Sequence, residues 1–463
     1  MLLISMLLQW VPTRGRFYHS GMSHTTSSSM LRMTPTRLFA FAFLFTALAA
    51  DPAAANELAR MTPADADPST TWPQWRGPSG QGEVTGSGYV DRWGPEENVR
   101  WKVAVPGKGN SSPIVWGDRI FLTTAEAAGA RRSVLAFDRA TGMKLWATAA
   151  PAANPERAYP KNGHASSTPT TDGERVYAYL GNHGLLALDM DGEIVWHNSF
   201  GELSAFHGTA SSPLLHGERL IVVQEQQRAA SFIAAFDRRT GEELWRTGRD
   251  TQVGWSSPAA ISVTTDNGED RDEIVVNSQH HVIAYAPEDG RELWRASGTT
   301  FEVIPSPVVG HDLLFSTSGR AGPTLAIRPG GDGDVTDSRI VWTAAKGSPF
   351  VVAPMLVGDY LYMVNDMASV ITVYEAKSGE VLWQERLGER MREGFSAAPV
   401  AFDGKIFFTN DNGETFVIKE GPDFKLLHVN RIGERTIASP ALVGGVWYIR
   451  TDGHLWAIAD QDG

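Results

Sequence analysis

The hydrophobic positions of this chain fall in short runs, not in long helical stretches. After Pro169, the turn Asp172-Gly173-Glu174 separates two apolar segments, and further apolar segments follow at Leu185 to Leu188 and Ile194 to Trp196. Runs of about 4 to 8 apolar or alternating residues bounded by Gly, Asp and Asn are typical of β-strands joined by hairpins. The pattern predicts an all-β protein.

The same strand pattern recurs eight times, each copy starting at a Ser-Pro or similar step. Successive prolines of these steps are 56, 44, 45, 49, 47, 45 and 41 residues apart. This spacing is close to the ~40 to 50 residues of a four-stranded propeller blade. The repeats therefore predict an eight-bladed β-propeller over residues 72–463. The prolines are Pro113, Pro169, Pro213, Pro258, Pro307, Pro354, Pro399 and Pro440.

A tryptophan marks the end of most repeats and indicates how the ring closes. Trp101 precedes the first repeat, while the last repeat, from Pro440 to Ala459, stops before an outer strand. The strand from Asn98 to Val105 should therefore complete the last blade and remove exposed sheet edges. His428 stands where an eighth tryptophan is expected. The tryptophans predicted to dock one blade against the next are Trp101, Trp146, Trp196, Trp245, Trp294, Trp342 and Trp383.

Two repeats carry the same eleven-residue pattern, Ala136 to Trp146 and Ala235 to Trp245. Its Asp can accept hydrogen bonds from the turn, its Gly can take positive φ, and the small Ala leaves room for an indole. This Ala-x-Asp-x-x-Thr-Gly-x-x-x-Trp pattern resembles the tryptophan-docking motif of the PQQ-type, quinoprotein alcohol dehydrogenase-like propellers, a family that includes BamB. The resemblance extends from Trp72 to Ala459 and implies the propeller fold.

The first 55 residues carry the features of an export signal. Arg32 and Arg37 precede an apolar run from Leu38 to Ala50, and small residues follow. These features predict a secretory signal peptide, because the run is too short to cross a bilayer of about 30 Å; an uncleaved anchor is the alternative. We expect translation to start at Met30 or Met33, residues 56–71 to form a linker, and the protein to be periplasmic or secreted.

Composition excludes several classes of function. The formal charge of −12, with 41 basic and 53 acidic side chains and no long basic run, argues against a nucleic-acid partner. The chain has no cysteine, which excludes disulfides and thiolate chemistry. Phosphate-loop, HExxH and Gly-x-Ser-x-Gly motifs are missing. The insertion Gly330 to Asp334 lacks a full acidic ligand set for calcium, so no metal site is predicted.

Loops on one face of a propeller surround the mouth of its channel. The segment before each Ser-Pro step and the loop between the second and third strands share that face, and their polar residues are candidates for binding an anion, a metal or a partner's side chain. Turn formation and solvation are the alternative interpretation. The candidates are His164, His183, His207, His280, Arg320, Asp366, Asp411 and Arg450.

These observations favour a monomeric, non-catalytic binding or scaffold propeller of the periplasm or cell envelope. Its partner is expected to be an envelope protein or a small ligand, and no cofactor is expected. Two alternatives stay open. The resemblance also implies a quinoprotein oxidoreductase holding PQQ with calcium, although such enzymes are longer and carry an adjacent-cysteine disulfide that this chain lacks. The other is a sensor domain of a kinase-linked system.

Overall fold

Eight four-stranded units make up the computed structural model of this protein. It describes residues 58–84, 86–205, 207–320 and 322–460, and the predicted signal peptide lies outside them. The described strands form eight separate sheets, and the helices within the described ranges are Thr336–Arg339 and the 3₁₀ turns Ala127–Gly129 and Gly181–His183. None of the described helices is long and apolar enough to cross a membrane. The predicted eight-bladed all-β propeller is confirmed.

The blades are numbered in the order of the Ser-Pro steps, and their strands run from the channel outward. Blade 1 comprises Ile114–Trp116, Arg119–Glu126, Arg131–Asp138 and Lys144–Ala149, and blade 2 comprises Thr170–Thr171, Arg175–Tyr179, Leu185–Asp189 and Ile194–Asn198. Blade 3 comprises Leu214–His216, Arg219–Gln224, Ser231–Asp237 and Glu243–Arg249, and blade 4 comprises Ala259–Thr264, Asp270–Asn277, His281–Tyr285 and Glu292–Ser297. Blade 5 comprises Val308–Gly310, Leu313–Thr317, Thr324–Ile327 and Ile340–Ala344, and blade 6 comprises Met355–Val357, Tyr360–Asn365, Val370–Glu375 and Val381–Arg386. Blade 7 comprises Val400–Phe402, Lys405–Thr409, Glu414–Lys419 and Leu426–Arg431, and blade 8 comprises Ala441–Val443, Val446–Arg450, His454–Ile458 and Val99–Ala104.

The ring closes through the strand that precedes blade 1. Val99–Ala104 pairs antiparallel with His454–Ile458, and Trp101 lies opposite Ala457. The predicted closure between the two ends of the propeller is therefore confirmed. It joins residues at least 350 positions apart in a ladder of backbone hydrogen bonds. The third strand of blade 8 is therefore paired on both sides and leaves no exposed edge.

A β-bulge recurs at the same place in every blade. In blade 1, Ala136 lies opposite Trp146, and the register then shifts so that Phe137 lies opposite Lys144. The other seven blades shift between the corresponding residues of their third strands. A bulge bends the strand and re-aims its side chains, so each outer strand can turn its aromatic ring toward the neighbouring blade.

Six of the seven marked indoles contact the turn of the following blade. The ring of Trp146 lies against Gly192, where an added Cβ would come within 2.7 Å of it, and Gly192 has φ +90°. Each of the six indole N–H groups donates to a backbone carbonyl of that turn. The acceptors are Arg139 for Trp101 (3.3 Å), Met190 for Trp146 (3.0 Å), Arg238 for Trp196 (3.1 Å), Pro287 for Trp245 (3.0 Å), Ala376 for Trp342 (2.9 Å) and Gly421 for Trp383 (3.4 Å).

Trp294 of blade 4 makes a different contact. Its indole N–H donates to Glu273 Oε2 of its own blade at 2.7 Å, and the side chain is fully buried. The Gly-rich insertion of blade 5 lies beside it, because Gly333–Asp334 pairs in parallel with Trp294 and Arg295. The insertion thus adds a fifth strand outside the four strands of blade 4.

The junction between blades 7 and 8 lacks a tryptophan on the outer strand. His428 occupies that position, and its Nε2 lies 2.6 Å from the carbonyl of Asp91. Trp93, from the segment before the closing strand, packs against Trp447 with ring centroids 4.7 Å apart and stacks on Phe407 at 6.3 Å. An aromatic ring from another part of the chain therefore fills this junction.

The segment before the closing strand also runs through the channel. We call residues 58–84 the plug. Ala59–Met61 pairs with the innermost strand of blade 4, Thr71–Trp72 pairs with that of blade 1, and the N–H of Val84 donates to the carbonyl of Ala401 in blade 7 at 3.0 Å. The region interpreted as a linker thus contains the strand Ala59–Met61.

Further hydrogen bonds tie the plug to four other blades, so it contacts seven of the eight. They run from Thr171 N–H to the Pro73 carbonyl (2.9 Å, blade 2), from Val309 N–H to Gln81 Oε1 (2.8 Å, blade 5), from Arg76 Nη2 to the Pro354 carbonyl (2.8 Å, blade 6) and from Trp75 Nε1 to Ser439 Oγ (3.3 Å, blade 8).

The contact between indole and neighbouring blade can be tested on adjacent residues of one strand. We expect Trp146→Ala to lower the free energy of unfolding by about 3 kcal/mol, because it leaves a gap between two blades. Leu145→Ala is the control, since Leu145 is 40% exposed, and we expect a change of about 0.5 kcal/mol or less. Urea unfolding monitored by circular dichroism measures both. Equal losses for the two variants would contradict the docking role.

Candidate functional site

Ser and Thr side chains line the channel where the innermost strands begin. They belong to the Ser-Pro or similar steps, and the backbone N–H of one blade donates to the hydroxyl oxygen of the next. Blades 6 and 7 have Ala353 and Ala398 at this position. The bonds run from Ser112 to Thr168 (2.9 Å), Thr168 to Ser212 (3.0 Å), Ser212 to Ser257 (2.9 Å), Ser257 to Ser306 (3.0 Å) and Ala398 to Ser439 (2.9 Å).

The residue two positions before each of these steps faces the same space, because alternate residues of an extended chain point to the same side. All eight such residues line a pocket of about 340 Å³ at this end of the channel. Each blade thus contributes at least one side chain to a single pocket. The eight are Asn110, Ser166, Ala210, Trp255, Ile304, Val351, Ser396 and Ile437.

Aromatic rings form one wall of the pocket. His207 lies between Tyr159 and Trp255, with ring centroids 5.2 Å and 5.6 Å away. Trp255 is held in place because its indole N–H donates to the Gly208 carbonyl at 2.7 Å. These rings come from three successive connections between blades, and they present apolar surface toward the pocket.

The plug supplies the floor of the pocket. Trp75 lines the pocket from below, fixed by its hydrogen bond to Ser439. On either side of it, Gln74 and Arg76 are buried, with Arg76 only 1% exposed. The pocket is therefore a cup that opens at the loops, with the plug beneath it.

Charged groups of both signs surround the mouth. The Arg320 Nε lies 3.0 Å from Glu302 Oε2, and the guanidinium of Arg320 lies over the ring of Phe350 at 4.6 Å. On the opposite side, Lys161 Nζ lies 2.9 Å from Asp411 Oδ2. Arg392 and Glu393 also line the pocket. Charges of both signs thus lie around the opening.

Both pocket glutamates have left-handed backbone conformations. Glu302 has φ +59° and Glu393 has φ +54°. Non-glycine residues rarely adopt this region, which costs about 1 kcal/mol or more and often marks functional loops.

His207 has its pKa lowered by burial. Among the charges near it, Glu302 and Glu393 oppose this shift, while Arg157 and Arg320 add to it. The neutral imidazole is therefore favoured, and it can both donate and accept a hydrogen bond within the pocket.

Four of the eight candidates from the sequence belong to this pocket or support it. His207 and Arg320 line it, and Asp411 pairs with the lining residue Lys161. Asp366 lies behind the wall, where its Oδ1 accepts hydrogen bonds from the N–H groups of Phe350 (2.7 Å) and Val351 (3.2 Å). These two bonds fix the backbone at Phe350 and Val351, which line the pocket.

The other four candidates lie elsewhere. His164 and His183 flank the buried ion pair of Arg132 and Glu156 between blades 1 and 2. Arg450 is buried between blades 8 and 1, where its Nη1 donates to the hydroxyl of Ser111 and to two carbonyls. His280 is exposed, with φ +69°.

The sequence candidates did not include several residues that shape the pocket. Glu302, Lys161, Tyr159 and Phe350 line it without belonging to any motif. The positions two residues before each Ser-Pro step carry a usable signal, because the prolines locate them in all eight repeats. Predicting Trp75 as a lining residue would have required knowing that the plug runs below the pocket.

A family model described as "Outer membrane protein assembly factor BamB" matches residues 94–162, 130–373 and 367–463. The chain belongs to this BamB family. The match covers the blades, including the closing strand, but not the plug, so the plug lies outside the part that the family model describes.

Curated relatives of this BamB-family propeller carry different names. BamB of Burkholderia pseudomallei is 35% identical over 134 residues, which is 28% of this chain and 33% of that protein. Tetrathionate hydrolase of Acidithiobacillus ferrooxidans is 28% identical over 134 residues, 27% of this chain and 26% of that protein. Polyvinylalcohol dehydrogenase of a Pseudomonas species is 21% identical over 431 residues, 80% of this chain and 62% of that protein. The matches span less than two thirds of each relative.

Solved structures agree with the fold. BamB from Moraxella catarrhalis superposes with a TM-score of 0.54 at 13% identity, covering 79% of this chain and 98% of that one. A europium-containing methanol dehydrogenase gives a TM-score of 0.52 at 10% identity, covering 85% and 98%. One propeller architecture thus serves both a BamB and a dehydrogenase.

The buried carboxyl of Asp366 should make stability depend on pH. Burial raises its pKa to about 6. Between about pH 4 and pH 6 the carboxyl is therefore protonated in the folded protein but ionised in the unfolded chain. Stability from this group is present below about pH 4 and is lost as pH rises to about 6, a change of roughly 3 kcal/mol. Asp366→Asn should remove that slope. Urea unfolding at pH 4, 5, 6 and 7 tests this, and an unchanged slope would contradict it.

Proposed function

We propose that this protein is a non-catalytic binding propeller of the bacterial cell envelope, and that the cup above Trp75 is its binding site. The observation that carries the proposal is the convergence of all eight blades and the plug on one pocket. Concave pockets of a few hundred Å³ that combine aromatic surface with directed polar groups are typical of ligand sites. Membership of the BamB family and the predicted signal peptide support an envelope location.

The lining supports binding more than catalysis. The Ser hydroxyls of the channel accept hydrogen bonds from the next blade's backbone, so each is fixed as part of the scaffold. His207 Nε2 lies 3.9 Å from Glu302 Oε1, beyond hydrogen-bonding distance. A nucleophile activated by a base in direct contact is the usual sign of covalent catalysis, whereas these Ser hydroxyls contact backbone N–H groups.

Blocking the cup should abolish capture of the natural ligand or partner. Ala210 lines the pocket, so Ala210→Trp fills it without removing a polar contact. Ala147→Trp is the control, because Ala147 is exposed on the outer strand of blade 1. Each protein is incubated with envelope extract of the producing bacterium, and bound molecules are released by denaturation and measured by mass spectrometry. We expect Ala210→Trp to lose what the wild type retains.

The control also separates two binding modes. If Ala147→Trp loses the bound material and Ala210→Trp keeps it, the blade edge is the binding surface and the cup is not. Equal retention by both variants would contradict the proposed site. Thermal unfolding of both variants shows that they are folded before capture is compared.

A quinoprotein oxidoreductase is the second candidate, favoured by the match to polyvinylalcohol dehydrogenase over 80% of this chain. The donor set of the cup does not fit the calcium that accompanies PQQ in that family. Calcium takes six to eight oxygen ligands, with carboxylates among them, whereas the carboxylates among the described lining residues are Glu302 and Glu393, and Glu302 is already paired with Arg320. Among the described residues, no three His, Cys, Asp or Glu side chains form a metal-binding group.

Titration with PQQ and Ca²⁺ tests this candidate directly. We expect no change in the absorption spectrum of PQQ on adding the purified protein, and no dye-linked oxidation of ethanol or polyvinyl alcohol, because the ligand set for calcium is incomplete. Saturable spectral change together with dye reduction would establish the oxidoreductase instead.

A further inference from the structure

The hydrogen-bonding groups of the cup include both donors and acceptors. Thr168, Ser212 and Ser257 use their hydroxyl oxygens to accept backbone N–H groups, which leaves each O–H free to donate toward the pocket. Glu302 and Glu393 can only accept, while Arg320 can only donate. A ligand that satisfies this lining must itself carry several donors and several acceptors.

The charges limit the net charge of the ligand. Three cations, Lys161, Arg320 and Arg392, line the same pocket as two carboxylates, Glu302 and Glu393. An anion would meet the carboxylates, and a cation would meet the guanidinium and ammonium groups. A wholly apolar ligand would take the ion pairs of Arg320 and Lys161 out of water and offer them no further hydrogen bonds, which is unfavourable. A neutral, multiply hydroxylated molecule meets none of these penalties.

The aromatic rings limit its shape. Tyr159, Trp255 and Trp75 present ring surfaces from the wall and the floor of the cup. Tyr159 is 45% exposed, so its ring is open to a ligand. Rings of this kind pack against a flat apolar face. The ligand therefore combines a ring with an apolar face and an edge of hydroxyl groups.

From this combination we infer that the cup binds a saccharide, with a sugar ring against Tyr159 and Trp255 and its hydroxyls bonded to Glu302, Arg320 and the channel hydroxyls. This inference rests on the proposed binding function of the cup and names its ligand class. The paired Arg320 and Glu302 side chains can together bond two neighbouring hydroxyls of one ring, since one donates and the other accepts.

A glycan array and calorimetry test the inference. The purified, labelled protein is applied to an array of hexoses, hexosamines, uronic acids and their short oligomers, and the sugars retained are titrated in solution. We expect Tyr159→Ala and Glu302→Gln each to weaken binding by about tenfold or more, because one removes a stacking ring and the other a charged acceptor. Phe301→Ala is the matched control, since Phe301 adjoins Glu302 in sequence but is not among the pocket-lining residues and is 47% exposed.

Each result decides between distinct conclusions. Sugar binding that Tyr159→Ala and Glu302→Gln weaken and Phe301→Ala leaves within about twofold supports the inference. Sugar binding that these variants do not change would place it outside the cup and overturn the inference. An array without any retained sugar overturns it as well. If Ala210→Trp nevertheless loses material captured from envelope extract, the cup remains a binding site and only the saccharide is wrong.

Discussion

The structure depends on the contact between an indole on the outer strand of one blade and the turn of the next. A four-stranded sheet with two apolar faces is not stable alone, so each blade needs a neighbour on both sides. The indole covers apolar area, and its N–H bonds a carbonyl such as that of Met190, which leaves no buried donor unpaired. In blade 1, the opposing Ala136 and the bulge beside it make the room that this contact requires.

The two junctions that lack this contact show what can replace it. Beside Trp294, the insertion containing Gly333–Asp334 adds a strand, and the indole turns to Glu273 instead. Beside His428, Trp93 brings an aromatic ring from a distant part of the chain. In both cases a neighbouring segment fills the volume between blades. A junction between blades therefore requires a packed apolar contact and a hydrogen-bond partner for each buried N–H group, but not one particular residue type.

The blade count and the closure could be predicted because their signals are local and repeated: a proline at each start, a tryptophan at most ends, and Trp101, which precedes the first repeat. The pocket was harder to predict. Loops between the second and third strands share its face, yet of their candidates Arg320 lines the pocket, whereas His183 and Arg450 make contacts between blades. Glu302 and Tyr159 belong to no motif, and the plug is held by contacts with blades far away in sequence, such as that of Arg76 with Pro354.

The plug makes the two faces of the propeller different. A tunnel open at both ends would let a solute pass from one side to the other, but Trp72, Gln74 and Arg76 fill the interior below the pocket. A bound molecule must therefore leave by the opening through which it entered. The speed of exchange then depends on the residues at that single entrance, with Tyr159 and Arg392 among them, and a molecule too large to enter whole could still insert one end.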